Sequence, residues 1–219
     1  MIPPKEYYRK NANNQRLRTN SYKEFIEKYH MNRPDPDGFK LNERKLLKSG
    51  SKKFFIPGKI YTFKYDPLYK NRLDYYDTRP IILCHETYRA EGTKNDIVVG
   101  VNFNFLPEKI KVGALQIFYE QFRKDIEAGE QAASRNSVFV SSRMIAFLRD
   151  WLATIKIFSN SNIHYDYAYR QYIRSRIKLE TLVEYDDWNY IPFIEAKHIM
   201  GKPLAQIYKE YLEYSKRKK

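Results

Sequence analysis

The segment GKIYTFKYDP, residues 58–67, constrains the fold more than any other part of this chain. Successive side chains of a β-strand point to opposite faces, so Tyr61, Phe63 and Tyr65 share one face of the predicted strand. Three aromatic side chains on one face present a large apolar area, and we expect them to fill a core. The segment therefore predicts a strand with one aromatic, buried face.

Two further strands follow at short spacing. The run RPIILCHETY, residues 79–88, is continuously apolar at its centre, as in a strand that is covered on both faces, whereas NDIVVGVNFNFLP, residues 95–107, alternates. Pro57 precedes the first strand and Pro107 ends the third. Strands at this spacing predict a small antiparallel barrel or curled sheet of SH3-like size over residues 54–107.

The stretch DYYDTRP joins the first strand to the second. Pro80 restricts Arg79 to an extended conformation. Asp77 is placed to accept backbone N–H groups of the turn or to pair with a nearby arginine, and Tyr75 and Tyr76 are expected to cover the open end of the barrel. This interpretation requires no catalytic role for any of these residues.

The remainder of the chain, residues 108–219, is predominantly helical in its pattern. Helical spacing of apolar residues predicts helices at residues 107–129, 141–158, 164–178 and 202–219. A short returning strand is predicted near residues 188–195, beginning at Trp188. We therefore predict an α+β fold in which the helical part packs on the barrel as one body.

Residues 1–53 form a separate basic region. Lys and Arg outnumber Asp and Glu there by eight, more than half of the net charge of +14 of the whole chain. The region has too few apolar residues to fold alone, so it is predicted to be an extended arm with short helices that either docks on the body or folds on a partner. The predicted partner-binding residues are Tyr7, Tyr8, Arg16, Arg18, Phe25 and Tyr29.

The positive charge also indicates which kinds of partner the protein could bind. A net charge of this size favours nucleic acid or acidic protein surfaces, although a lysine-rich solvated surface from an AT-rich genome would give the same composition. Basic residues alternate with aromatic ones in KEYYRK, YKNRLDYY and YRQYIRSRIK. From these segments we predict nucleic-acid contacts for Arg170, Arg174 and Arg176.

The sequence lacks the spacings of a metal or nucleophile site. Its four histidines are more than 30 residues apart, and Cys84 and His85 are neighbours whose side chains point to opposite faces of a strand. We therefore predict a non-enzyme with no cofactor and no small-molecule substrate. No signal peptide is expected at the start, and no segment approaches the roughly 18 apolar residues of a membrane helix.

Three segments resemble a family of tailed-bacteriophage virion and assembly proteins. They are GKIYTFKYDPLYKNRLDYYDTRPIIL, VGVNFNFLP and YDDWNYIPFI, which together span roughly residues 57–195. The residues that carry the resemblance are Gly58, Tyr61, Phe63, Tyr65, Tyr75, Tyr76, Asp77, Pro80, Asn102, Pro107 and Trp188.

This resemblance implies a non-enzymatic component of a phage virion, such as a tail, neck or baseplate protein, made in the bacterial host cytoplasm. Its partners would be other virion proteins, which it would join through the arm. The alternative is a DNA-binding phage protein such as a DNA end protector. A Mg²⁺-dependent nuclease is a more distant alternative, because the acidic segment EYDDW lies in a basic chain.

Overall fold

The computed structural model describes residues 2–29, 55–92, 95–133 and 168–217. Helices and antiparallel strands are mixed along the chain, so the predicted α+β class is confirmed. In chain order the elements are α1 Pro4–Asn11, α2 Gln15–Lys28, β1 Ile60–Tyr65, β2 Tyr75–Asp77, β3 Ile81–Arg89, β4 Asp96–Asn102, α3 Glu108–Ala133, β5 Tyr169–Ile173, β6 Ile177–Leu182, β7 Ile199–Gly201 and α4 Leu204–Arg217.

Five antiparallel strands form the main sheet, in the order β5-β4-β3-β1-β6. The three strands predicted from alternation are β1, β3 and β4, and they occupy its centre. Strands β2 and β7 form a separate two-stranded ladder, in which Asp77 lies opposite Ile199. This second ladder joins the polar stretch after β1 to the segment that precedes α4.

The main sheet is curled. Strands β5 and β6 lie at opposite edges, which in a flat five-stranded sheet would be about 19 Å apart. Only the 3-10 turn Arg174–Arg176 connects them, and a connection this short reaches at most about 14 Å. In keeping with the curl, the Ile173 N–H donates a hydrogen bond to the Tyr65 hydroxyl at 3.3 Å.

The predicted SH3-like barrel is not confirmed, because the sheet is not closed. Among the described residues no ladder of backbone hydrogen bonds joins β5 to β6, and the two edges meet through a turn and side chains instead. The curled-sheet form of the prediction agrees with the observed sheet.

Each face of the sheet has its own core. The aromatic face of β1 contributes Tyr61, Phe63 and Tyr65 to a cluster with Phe55, Ile82, Cys84, Val98 and Tyr172, as the alternation of β1 predicts. Ile60, on the opposite face, belongs to a larger core. That core also contains residues from the helices and the C-terminal segment, among them Phe25, Leu115, Phe118, Trp188 and Ile207.

The N-terminal region differs from the prediction of an extended arm. Its described part, residues 2–29, forms helices α1 and α2, and Phe25, Ile26 and Tyr29 are buried in the larger core. Phe25 and Ile26 lie in α2 and Tyr29 directly follows its last residue, and burying these three side chains stabilises the docked helix. Residues 30–53 lie outside the described residues, and the domain boundaries at 53 and 107 stay a prediction.

Two further predictions of secondary structure are wrong. The described part of the helix predicted at residues 164–178 forms β5, the 3-10 turn and β6, because pairing of β5 with β4 overrides the local helical pattern. The returning strand near residues 188–195 is replaced by 3-10 turns at Tyr185–Phe193, where Pro192 removes a backbone donor. Helix 141–158 lies outside the described residues. The predicted final helix is present as α4.

Candidate nucleic-acid interface

Two of the family-like motif residues, Asp77 and Asn102, meet at the buried carboxylate of Asp77. Its Oδ2 accepts hydrogen bonds from the side-chain amides of Asn102 at 2.9 Å and Asn104 at 2.8 Å. Its Oδ1 accepts from the backbone N–H of Arg79 at 2.9 Å. The network therefore joins the YYD segment before β3 to the NFN segment after β4.

Burial raises the pKa of Asp77 above its ordinary range, and the hydrogen bonds from Asn102 and Asn104 act in the opposite direction. The Asn102 amide also lies 3.2 Å from the Tyr172 hydroxyl. Both Asp77 oxygens are occupied within the protein, so this cluster holds the fold together and offers no open ligand site. Asp77 and Asn102 are among the residues predicted from the sequence, whereas Asn104 is not, although the Asn-x-Asn spacing is visible in the sequence.

Other motif residues also have packing roles. Gly58 has a φ of +83°, which only glycine adopts without strain, and its N–H donates to the Cys84 carbonyl at 2.8 Å. Tyr75 packs edge-on against Phe105, with ring centroids 5.4 Å apart. Trp188 is fully buried. The structure places the remaining members as follows: Tyr76 in β2, Pro80 buried before β3, and Pro107 half-buried before α3.

Most of the predicted partner-binding residues of the N-terminal region contact their own chain. Phe25 and Tyr29 are buried in the core, which corrects the prediction that they bind a neighbouring subunit. Tyr8 stacks on Phe193, with ring centroids 5.7 Å apart. Arg18 binds the Glu108 carboxylate through two hydrogen bonds, of 2.7 and 3.0 Å.

Tyr7 packs against Tyr190, with ring centroids 6.1 Å apart. Arg16 is exposed, and a partner-binding role for it stays a prediction. The N-terminal helices therefore present few of the predicted contacts to other molecules.

The three arginines predicted to contact nucleic acid do not form one group. The Arg170 guanidinium lies over the rings of Tyr75 at 4.7 Å and Phe105 at 5.1 Å, so it packs inside the protein. Arg174 and Arg176 lie in the 3-10 turn between the two edge strands. Only these last two stay candidates for phosphate contact.

The turn that carries Arg174 and Arg176 lies beside the exposed loop between β1 and β2. The Asp66 carboxylate connects the two, because it lies 3.5 Å from the Arg176 guanidinium and 3.3 Å from the Lys70 ammonium. We call this region the loop–turn surface and define it as residues 66–74 together with residues 174–178. The loop was noted in the sequence only as the mixed basic and aromatic segment YKNRLDYY.

The loop–turn surface is cationic. It carries Lys70, Arg72, Arg174, Arg176 and Lys178, and Lys178 lies opposite Lys64 in the β1–β6 ladder. Its acidic residues are Asp66 and Asp74, and Asp74 pairs with Lys202 of the β7–α4 connection at 3.3 Å. Cations outnumber carboxylates, so the surface favours an anionic partner.

Leu179, next to Lys178, has a φ of +53°, which is unusual for a residue other than glycine. It lies where the register of β6 shifts against β1. This bulge turns the strand next to the cationic surface.

Among the described residues there is neither a group of metal ligands nor a membrane-spanning helix. No group of three or more His, Cys, Asp or Glu side chains there is arranged to hold a metal ion. None of the helices in that part of the chain has the length and apolar character needed to cross a membrane.

Comparison with protein families gives a match. The model of the phage T4 terminal DNA protecting protein matches residues 32–202, more than three quarters of the chain. The chain belongs to the phage T4 terminal DNA protecting protein family. Comparison with curated proteins and with solved structures found no match.

Membership of this family corrects the main functional prediction. The resemblance to phage proteins was sound, but the prediction of a tail, neck or baseplate component is wrong, because the matching family is one of terminal DNA protecting proteins. The alternative drawn from the sequence, a DNA end protector, agrees with the family. The whole loop–turn surface lies inside the matched region, whereas α1 and α2 lie outside it.

Proposed function

We propose that this protein binds the ends of linear phage DNA and protects them from degradation. The observation that carries the proposal is the family match over residues 32–202. The protein would act by occupying the end, so it needs no catalytic residue of its own, and we propose a binding protein rather than an enzyme. On this proposal the protein travels with the DNA of the virion.

The loop–turn surface supports the proposal as the site of DNA contact. Lys70, Arg72 and Lys178 are exposed there, and Arg176 is half-buried beside them. Lysine and arginine side chains bind phosphates and release counterions, so affinity would fall steeply as salt rises. Contact with several phosphates near an end would hold the protein where an exonuclease must engage.

An exonuclease protection assay tests this function. A linear duplex would be incubated with a double-strand exonuclease, with and without the protein, and the remaining full-length DNA measured over time. We expect the wild-type protein to slow degradation. The double variant Lys70→Glu and Arg72→Glu is expected to lose most of this protection, since it reverses two charges of the surface.

A matched control carries the same change of charge elsewhere. Lys109 in α3 and Lys209 in α4 are both exposed and lie outside the loop–turn surface. The double variant Lys109→Glu and Lys209→Glu is expected to protect nearly as well as the wild type. Wild-type protein that binds DNA but leaves degradation unchanged would contradict the proposed function, and equal losses in both double variants would contradict the proposed surface.

A further inference from the structure

Contacts with internal phosphodiesters cannot distinguish a DNA end from the interior of a duplex, because each of these groups carries the same charge. An end carries terminal 5′ and 3′ groups, and its last base pair exposes a flat apolar face that is stacked everywhere else. An apolar element beside cations can therefore select ends by contacting that face. This reasoning rests on the proposed function.

The loop–turn surface contains such an element. Leu68, Tyr69 and Leu73 are 43%, 61% and 46% exposed, so three large apolar side chains face water within six residues. In the rest of the described chain the other large exposed apolar residues are scattered: Ile2, Tyr88, Ile117, Leu182 and Met200. Exposed apolar side chains this close together along one loop identify it as a candidate interaction site.

The loop is held in place on both sides. At its start Asp66 pairs with Lys70 and Arg176, and its backbone N–H lies 3.5 Å from the Arg176 carbonyl. At its end the Asp74 carbonyl accepts a hydrogen bond from the Lys202 N–H at 3.1 Å. These contacts anchor the loop to the neighbouring turn and to the β2–β7 ladder while its apolar side chains stay exposed.

Basic residues adjoin the apolar side chains along the loop. The 3-10 turn Lys70–Arg72 lies between Tyr69 and Leu73 in the sequence, and the Arg72 guanidinium lies 5.7 Å from the centre of the Tyr69 ring. An apolar patch bordered by lysine and arginine suits a polyanion that also exposes an apolar face. The end of a DNA duplex has both properties.

We propose that Leu68, Tyr69 and Leu73 pack on the terminal base pair of a DNA duplex while Lys70, Arg72 and Arg176 contact the adjacent phosphates. Stacking of an aromatic side chain on a base stabilises a complex independently of sequence. Contact with the terminal pair would thus give preference for ends, and the cations would give affinity.

The test compares a short blunt duplex with a closed DNA minicircle, which has the same chemistry but no ends. Affinities for both are measured by fluorescence anisotropy at several salt concentrations. Wild-type protein is expected to prefer the blunt duplex. In the triple variant Leu68→Ser, Tyr69→Ser and Leu73→Ser, the ratio of duplex affinity to minicircle affinity is expected to fall roughly tenfold. Its affinity for the minicircle and the salt dependence of binding are expected to stay unchanged.

The matched control is the double variant Tyr88→Ser and Ile117→Ser, which removes exposed apolar residues from other surfaces and is expected to keep the preference. Thermal unfolding establishes that each variant is folded. If the triple variant misfolds, the single variant Tyr69→Ala replaces it in the same affinity measurements. Contact with the terminal pair is then also measured by the change in fluorescence of a 2-aminopurine base placed there when protein binds.

The outcomes separate the two proposals. Wild-type protein that shows no preference for ends contradicts the proposed function itself. A wild-type preference that survives in the folded triple variant and in Tyr69→Ala overturns only the role of the loop. Loss of minicircle affinity in the triple variant, to the same extent as loss of duplex affinity, would also overturn it, because the apolar residues would then act on all DNA.

Discussion

Asp77 and Asn104 lie on opposite sides of the β3–β4 hairpin in the sequence, yet the Asn104 side-chain amide donates to Asp77 Oδ2 at 2.8 Å. Both residues are buried. A second hydrogen bond, from the same amide nitrogen to the Arg79 carbonyl at 3.0 Å, joins the same two segments. The contact links the chain that enters β3 to the chain that leaves β4, so the hairpin is closed at its base by side chains as well as by its ladder.

Replacement of Asp77 by Ala should therefore destabilise the protein strongly. The variant removes the carboxylate that accepts from the buried amides of Asn102 and Asn104 and from the Arg79 N–H, and we expect a loss of about 3 kcal/mol in the free energy of unfolding. Urea unfolding followed by circular dichroism measures it. Asp74→Ala, an exposed residue three positions earlier, is the control and should cost less than about 1 kcal/mol. Equal losses would show that the network contributes little.

Two glycines provide a paired test of the sheet. A Cβ at Gly100 in β4 would overlap the carbonyl oxygen of Leu83 in β3, whereas a Cβ at Gly113 in α3 would meet no atom within 4 Å. Gly100→Ala is expected to lower the free energy of unfolding by about 2 kcal/mol. Gly113→Ala should raise it by roughly 0.5–1 kcal/mol, because alanine favours a helix. Thermal melts of both variants check the opposite signs, and a neutral Gly100→Ala would contradict the close approach of β3 and β4.

Lys111 gives a prediction for the dependence of stability on pH. Its side chain is buried, its Nζ donates to the Ile194 carbonyl at 3.0 Å, and burial lowers its pKa to about 8. Between about pH 8 and the ordinary lysine pKa of 10.5, the unfolded chain holds this proton and the folded chain does not. The contribution of Lys111 to stability therefore rises with pH across that window.

The variant Lys111→Met removes this contribution. The difference in urea midpoint between wild type and variant should move in favour of the wild type as pH increases from 8 to 10.5, and other titrating groups cancel in the difference. Lys109→Met, an exposed neighbour in the same helix, should show no such trend. A difference that stays constant with pH would contradict burial of the Lys111 ammonium.

Replacement of Asp66 is expected to strengthen DNA binding rather than weaken it. Its carboxylate lies between Lys70 and Arg176, where it partly neutralises the loop–turn surface. Asp66→Asn should raise affinity for duplex DNA roughly threefold at low salt, since one negative charge is removed near the phosphates. Anisotropy titrations measure it, with the exposed Asp186→Asn as control. Weaker binding by Asp66→Asn would indicate that the carboxylate acts chiefly by holding the loop on the turn.

The N-terminal helices should behave as part of the folded body. Phe25→Ala removes a fully buried ring from the core and should cost about 3 kcal/mol in the free energy of unfolding. Limited proteolysis should then cut within residues 2–29 faster than in the wild type. Lys23→Ala, exposed on the same helix, should change neither result. A wild-type protein cut within α2 as rapidly as Phe25→Ala would contradict the docked helices.

The parts of the fold that could be predicted from the sequence are those with strong local patterns. Alternation in β1 places Tyr61, Phe63 and Tyr65 on one face, and this needs only the geometry of a strand. The helical segments α3 and α4 follow from apolar spacing in the same way. The segment that becomes β5 and β6 has a pattern compatible with a helix. Its partner strands β4 and β1 are distant in sequence, so the local pattern does not reveal the pairing.

The same distinction between local pattern and long-range contact applies to the candidate functional site. The sequence by itself determined the positive charge, the buried strands and the likeness to phage proteins, because composition and alternation are properties of neighbouring residues. Only the tertiary structure decided which basic residues lie together: the curl of the sheet brings the Arg174–Arg176 turn beside the loop of Tyr69, whereas Arg170 packs against Tyr75 and Phe105. Side chains that are distant in sequence come into contact only through strand pairing and burial. Local sequence patterns contain no information about these long-range contacts.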